Sequence, residues 1–135
     1  MTKADTWRGR RETVRAMMLL CWAWVLVHWV PFAKWRQTLG GTGDPAVVSN
    51  DAWRLAGHVE RAAARLPFPT RCLPRAMALS WLLRKAAIGH ALVIAARPAA
   101  LRDSADALHA WVEIDGTRLI GELPGPWIEV TRLGG

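Results

Sequence analysis

From Ala16 to Val30 the chain reads "AMMLLCWAWVLVHWV", apolar almost throughout, with His28 its one interruption and no Lys, Arg, Asp or Glu. The run ends at Pro31, which cannot continue a helix without losing a backbone bond and colliding with the preceding turn. The pattern predicts a helix from Thr13 to about Val30. Thr13 is the expected cap, its hydroxyl accepting a free backbone N–H, and residues 1–10 are expected to fray ahead of it. "PFAKWRQTLGG" predicts one more short helix, stopped by Gly40 and Gly41, followed by a turn-rich connector, "TGDPAVVSND". Asn50 or Asp51 then caps a second clear helix. Its face of Trp53, Leu55, Ala56, Val59, Ala63 and Leu66 recurs at 3.6-residue spacing, and His58 and Glu60 fall off that face, toward solvent.

Pro67 and Pro69 break that helix. Leu73, Met77, Leu79, Leu82, Leu83 and Ala86 mark the next. Pro74 sits in its first turn, where a missing N–H is no loss, and Gly89 is the expected stop. "ALVIAAR" is short and β-branched and reads as a strand, with a loop over 98–106. "LHAWVEI" and "TRLIGEL" alternate apolar and polar residues on either side of Asp115-Gly116, a strong hairpin signal. "WIEV", after Pro124 and Pro126, predicts a short final strand. Helices followed by an antiparallel sheet make an α+β domain. One domain over 1–135 is expected, helical over 1–66 and then a helix with antiparallel strands over 67–135, long enough to bury a core without disulfides.

Composition narrows the function classes. With 52% hydrophobic and 21% charged residues the chain is not a disordered one. The net charge is +7 and the isoelectric point about 11.0. Such a balance suits an acidic membrane surface, an acidic peptide or protein, or nucleic acid. The arginines are spread along the chain and form no patch, which argues against nucleic acid. The 16–30 run is shorter than the roughly 20 residues a bilayer span requires, so a buried or interfacial helix is expected. A signal peptide is not, because the leader is long and acid-bearing and no small-residue cleavage site follows. Cys21 and Cys72 sit in unlike settings and make no disulfide framework, which suggests a reducing, cytoplasmic compartment. His28, His58, His90 and His109 have no metal-ligand spacing, Cys72 has no Cys-x-x-Cys partner, and no glycine-rich phosphate loop occurs; no metal or cofactor is expected.

Cys72 lies at the start of a helix, where partial positive charge and unpaired N–H groups favour a thiolate. The same N–H groups suit an oxyanion, and Arg71 and Arg75 add positive potential. His109 heads the first hairpin strand. Counting outward from the turn pairs Ile114 with Thr117, Glu113 with Arg118, Trp111 with Ile120 and His109 with Glu122. Directly opposed residues have Cβ atoms about 4.5–5.5 Å apart on one face, so Glu122 is expected to hold the imidazole in one tautomer. Asp115, in the turn, is the other acid to consider. Glu113 lies roughly 13 Å along the strand, with Arg118 as its expected partner.

"RCLPRAMALSWLLRKAAIGHALVIAARP", followed by "LHAWVEIDG", resembles the leader peptidases of lasso-peptide biosynthesis, cysteine proteases with a transglutaminase-like, papain-related fold. The hydrophobic helix ending in "VPFAKW" and the glycine-rich break after it extend the resemblance over nearly the whole chain. It implies Cys72 as nucleophile, His109 as base and Glu122 as the acid. It further implies a precursor peptide as substrate and a separate small leader-recognition protein, since 135 residues leave no room for a fused one. An asparagine-synthetase-like cyclase would act on the freed amine. The competing expectation is a non-catalytic peptide- or membrane-binding module. It rests on nine tryptophans without a tyrosine, with Trp22, Trp24, Trp29, Trp35 and Trp53 as an interfacial platform.

Overall fold

In a computed structural model the described residues are 3–41, 50–67, 72–97, 108–114, 116–120 and 127–134, with side chains from residue 9 on. The predicted connector after Gly41, the loop over 98–106, Asp115 and Glu122 lie outside them. Helix α1 covers Lys3–Trp29 and so starts well before Thr13. Thr13 is no cap. It is buried mid-helix and opens an inward stripe with Ala16, Leu20, Ala23 and Leu26. The stripe repeats every three or four residues and begins before the apolar run does, which is why the run alone understates the helix. Pro31 ends α1 as expected. Helix α2 (Phe32–Trp35) and a 3-10 turn (Arg36–Thr38) follow. Buried Trp35 donates its indole N–H to the Val30 carbonyl at 3.0 Å, satisfying an acceptor that a helix end leaves open.

Helix α3 (Asn50–Arg65) packs on α1, and α4 (Cys72–Lys85) packs on α1, α3 and the sheet. Helix α4 is buried on nearly every side, from Pro74 through Met77, Leu79 and Ser80 to Leu83. On α3 two expectations fail. Trp53 is exposed, and His58, expected in solvent, is buried. His58 is held between α1 and α3 by polar partners rather than by apolar packing. Its Nε2 lies 2.6 Å from Glu12, and its Nδ1 lies 2.9 Å from Arg61 and 3.1 Å from the Thr13 hydroxyl. A guanidinium only donates, so Nδ1 accepts and Nε2 carries the proton. Burial lowers the His58 pKa against the pull of the Glu12 charge, and the ring is neutral. Glu60 is exposed as expected and pairs with Arg75 at 3.3 Å.

The stop after α4 is Ala87, not Gly89. Ala87 has φ +58°. Its N–H bonds to Arg84 at 3.0 Å, and the Ile88 N–H bonds to Leu83 at 2.9 Å, the two bonds of a Schellman cap. Four antiparallel strands follow, β1 (Ala91–Ala96), β2 (Leu108–Ile114), β3 (Thr117–Ile120) and β4 (Ile128–Gly134), in the order β3-β2-β1-β4. Strand β4 extends past "WIEV" because Leu133 pairs with Leu92 and enters the core. The hairpin starts in the expected register, with Ile114 opposite Thr117 and Glu113 opposite Arg118. A bulge then places Ile120 opposite Val112, not Trp111. One extra residue on β3 is invisible to counting from the turn, so the count that paired His109 with Glu122 does not hold beyond Glu113.

The sheet is covered on both faces. Leu92, Ala110, Val112, Ile114, Ile120 and Leu133 join the helical core. On the other face Ala91, Val93, Ala95 and Trp111 form a second cluster, against which Trp127 packs. Trp35 belongs to the core, whereas Trp22, Trp29 and Trp53 are exposed, so the five tryptophans make no single platform.

Candidate active site

Packing α4 across β2 brings the first residue of the helix to the head of the strand. There Cys72 and His109 meet. The half-buried Cys72 sulfur is hydrogen-bonded to the His109 side chain and to the backbone N–H groups of Ala110 and Leu73. Burial pushes the thiol up. The His109 hydrogen bond, the Ala110 N–H, the imidazole charge and the Leu73 N–H outweigh it, and the pKa lies below the ordinary thiol value. The cause is therefore more specific than a helix end: two N–H groups and one imidazole aimed at one sulfur. Arg75, expected to add positive potential, is engaged with Glu60, and Arg71 lies outside the described residues.

His109 is buried. Its ring stacks on Trp127 with centroids 5.2 Å apart and planes at 26°, and lies tilted to Trp111 at 6.0 Å. Arg97 covers the Trp127 ring and Arg118 the Trp111 ring, each at 4.0 Å. Arg118 thus stacks on the indole while its charge still acts on Glu113, which it faces across the hairpin. Glu113 accepts the Trp111 N–H at 2.9 Å and pairs with Arg132 of β4. Burial raises its pKa, but the Trp111 and Arg132 hydrogen bonds prevail and hold it below the usual carboxylate range. This aromatic and arginine lattice fixes the imidazole in plane and depth. The sequence count could not find it, because Trp127 and Arg132 come from beyond the hairpin. Of the two acids considered as third member, both Glu122 and Asp115 lie outside the described residues.

A serine–histidine pair elsewhere in the fold escaped the sequence reading. Ser80 Oγ lies 2.6 Å from His90 Nε2 and accepts the Gly40 N–H at 2.8 Å, while His90 Nδ1 lies 2.9 Å from the Ile88 carbonyl. A carbonyl only accepts, so Nδ1 carries the proton and Ser80 donates to Nε2. Burial depresses the His90 pKa, and the ring is neutral. Both side chains are almost fully shielded, at 0% and 1% exposure, so the pair is a strut and not a nucleophile. A lone serine in the apolar stretch "AMALSWLL" was the available signal, since a buried hydroxyl requires a partner. A hollow of about 440 Å³ beside the strut, between Gln37, Arg84 and Ile88, sits at the opposite end of α4 from Cys72 and plays no part in thiol chemistry. Among the described residues no three His, Cys, Asp or Glu side chains converge on a metal site.

In a comparison with known families, the model of the transglutaminase-like superfamily matches residues 17–133. No curated protein matches the chain, and no solved structure does.

Proposed function

The chain belongs to the transglutaminase-like superfamily, and on that premise we propose that it is a cysteine peptidase that removes the leader from a ribosomally made lasso-peptide precursor. The observation that carries the peptidase reading is the Cys72 sulfur bonded to His109 and to two backbone N–H groups. In the proposed reaction the sulfur attacks the scissile carbonyl and a C–S bond forms. The Leu73 and Ala110 N–H groups, freed of the thiolate's charge, face the developing oxyanion. The proton held on His109 passes to the leaving amine as the C–N bond breaks. Water then gives a proton to His109 and its oxygen to the thioester, releasing the leader as a carboxylic acid and restoring the thiol. Glu122 is proposed as the acid that orients His109, on the resemblance alone.

The precursor as substrate and a small leader-recognition protein and an asparagine-synthetase-like cyclase as partners rest on the same resemblance, and a cytoplasmic location rests on the two unpaired cysteines. No helix among the described residues is long and apolar enough to cross a membrane. The test is incubation with a leader–core precursor from the same genetic neighbourhood, read by mass spectrometry. A leader with a free carboxylate and a core with a free amine are expected, and Cys72→Ala should abolish both while the far-UV spectrum is unchanged. An amide on the leader carboxyl would instead establish acyl transfer, and cleavage surviving in Cys72→Ala would end the thiol reading.

A further inference from the structure

We propose that the outward face of α1 is a docking surface for a bilayer carrying anionic phospholipid. Val14, Met18, Trp22 and Trp29 are all exposed, Met18 by 68% and Trp29 by 76%. At about 100° per residue they fall in one strip roughly 80° wide and about 22 Å long. The opposite face of α1 carries the buried Thr13, Ala16, Leu20 and Ala23, so helix packing consumes one side and leaves the other apolar.

Charge selects the occupant. A hollow of about 410 Å³ at the N-terminal end of the strip has Val14, Met18 and Leu19 on its walls, with Arg10, Arg11 and Arg15 around it. Between Gly9 and Arg36 the chain has a single acid, Glu12. Glu12 turns to α3, where Arg54 and His58 hold it. Among the described residues the outward strip is therefore cationic and apolar, with its one acid turned away to α3. An occupant that is anionic at the rim and hydrocarbon at the centre describes a phospholipid headgroup with its acyl chain. Arginine favours phosphate through its planar fork, and tryptophan favours the headgroup depth. The described helices include none able to span a bilayer, so α1 would lie in the interfacial plane, its apolar side chains entering about 5–10 Å. This placement does not depend on the peptidase reading, because it uses none of the residues around Cys72.

The whole chain is floated with vesicles of phosphatidylglycerol and phosphatidylcholine and with vesicles of phosphatidylcholine alone. Binding to the first is expected, weakening as salt shortens the screening length. Replacing Arg10, Arg11 and Arg15 together by glutamine should lower the partition coefficient about a hundredfold, at roughly fivefold per arginine. Met18→Ser with Trp22→Ser should also release the protein. Both variants should keep the wild-type far-UV spectrum and the wild-type alkylation rate of Cys72. Equal binding to both vesicle types, no binding to either, or undiminished binding by the folded variants would overturn the proposal, the strip then belonging to a protein partner. Should a variant unfold, the wild-type chain still decides: lipids brominated on the acyl chain should quench its tryptophan emission in anionic vesicles, and unquenched emission refutes docking.

Discussion

Ser80→Ala deletes one oxygen from a fully buried position and leaves two polar groups without partners, the Gly40 N–H and His90 Nε2. Neither is free to find another. His90 is tied through Nδ1 to Ile88 and through its backbone to Gly41. Gly40 is fixed at φ +76°, where an added Cβ would sit 2.2 Å from the Leu133 carbonyl, so the chain there already touches β4. A buried donor or acceptor stripped of its partner costs about 1–3 kcal/mol. Two of them place the expected loss at about 3 kcal/mol, a large share of the roughly 5–15 kcal/mol a domain possesses. Equilibrium unfolding in urea, followed by tryptophan emission, measures it as a lower midpoint at unchanged slope. A loss below about 0.5 kcal/mol, the range of an ordinary surface substitution, would refute the reasoning. Adding His90→Leu completes a cycle in which the two changes should couple by more than about 0.5 kcal/mol; strict additivity would show that the hydrogen bond carries no energy.

Ala87→Gly should stabilise the protein by about 0.5–1 kcal/mol in the same assay, since the exposed Ala87 holds a left-handed φ that disfavours a Cβ, against the entropy glycine adds to the unfolded chain. His58 and His90 both have folded pKa values depressed by burial. The unfolded chain therefore binds more protons below about pH 6.5. Stability should be complete above that pH and fall as pH drops from there toward the folded values, and a flat urea midpoint between about pH 7.5 and 5.5 would contradict the neutral, buried assignment. Glu113, likewise depressed, contributes above the unfolded carboxylate value of about 4.3 and loses its contribution only at lower pH. His109→Ala should move the pH profile of Cys72 alkylation by iodoacetamide toward higher pH, because it removes the hydrogen bond and charge that offset burial of the thiol. An unmoved profile would show that the two N–H groups suffice.

The candidate site shows how far local signals reach. The start of α4 at Cys72 and the end of β2 and start of β3 are written in a few adjacent letters each, and they lie where the pattern puts them. That Cys72 meets His109 follows from the packing of α4 on β2. The bulge after Glu113 shows why the register could not be counted further. Nothing in "TRLI" announces an extra residue, because the two consecutive side chains that enter the core, Leu119 and Ile120, do so through tertiary packing. The ion pair of Glu113 was out of reach of the same count: β4, distant in sequence, supplies Arg132 as its hydrogen-bonded partner, with Arg118 acting only through its charge.

Residue chemistry and short-range periodicity determined the α+β class and the order of helices and strands and marked Cys72 and His109 as candidates, since each depends on neighbours within a turn or two of chain. Tertiary structure decided the rest. It carried α1 back to Lys3, buried His58 between Glu12 and Arg61, set Ala87 rather than Gly89 in the left-handed position and joined Ser80 to His90. Buried polar groups such as His58 and Ser80, unfavourable alone, become favourable beside partners outside their own helix, Glu12 on α1 and His90 ahead of β1, and that free energy exists only once the elements have packed.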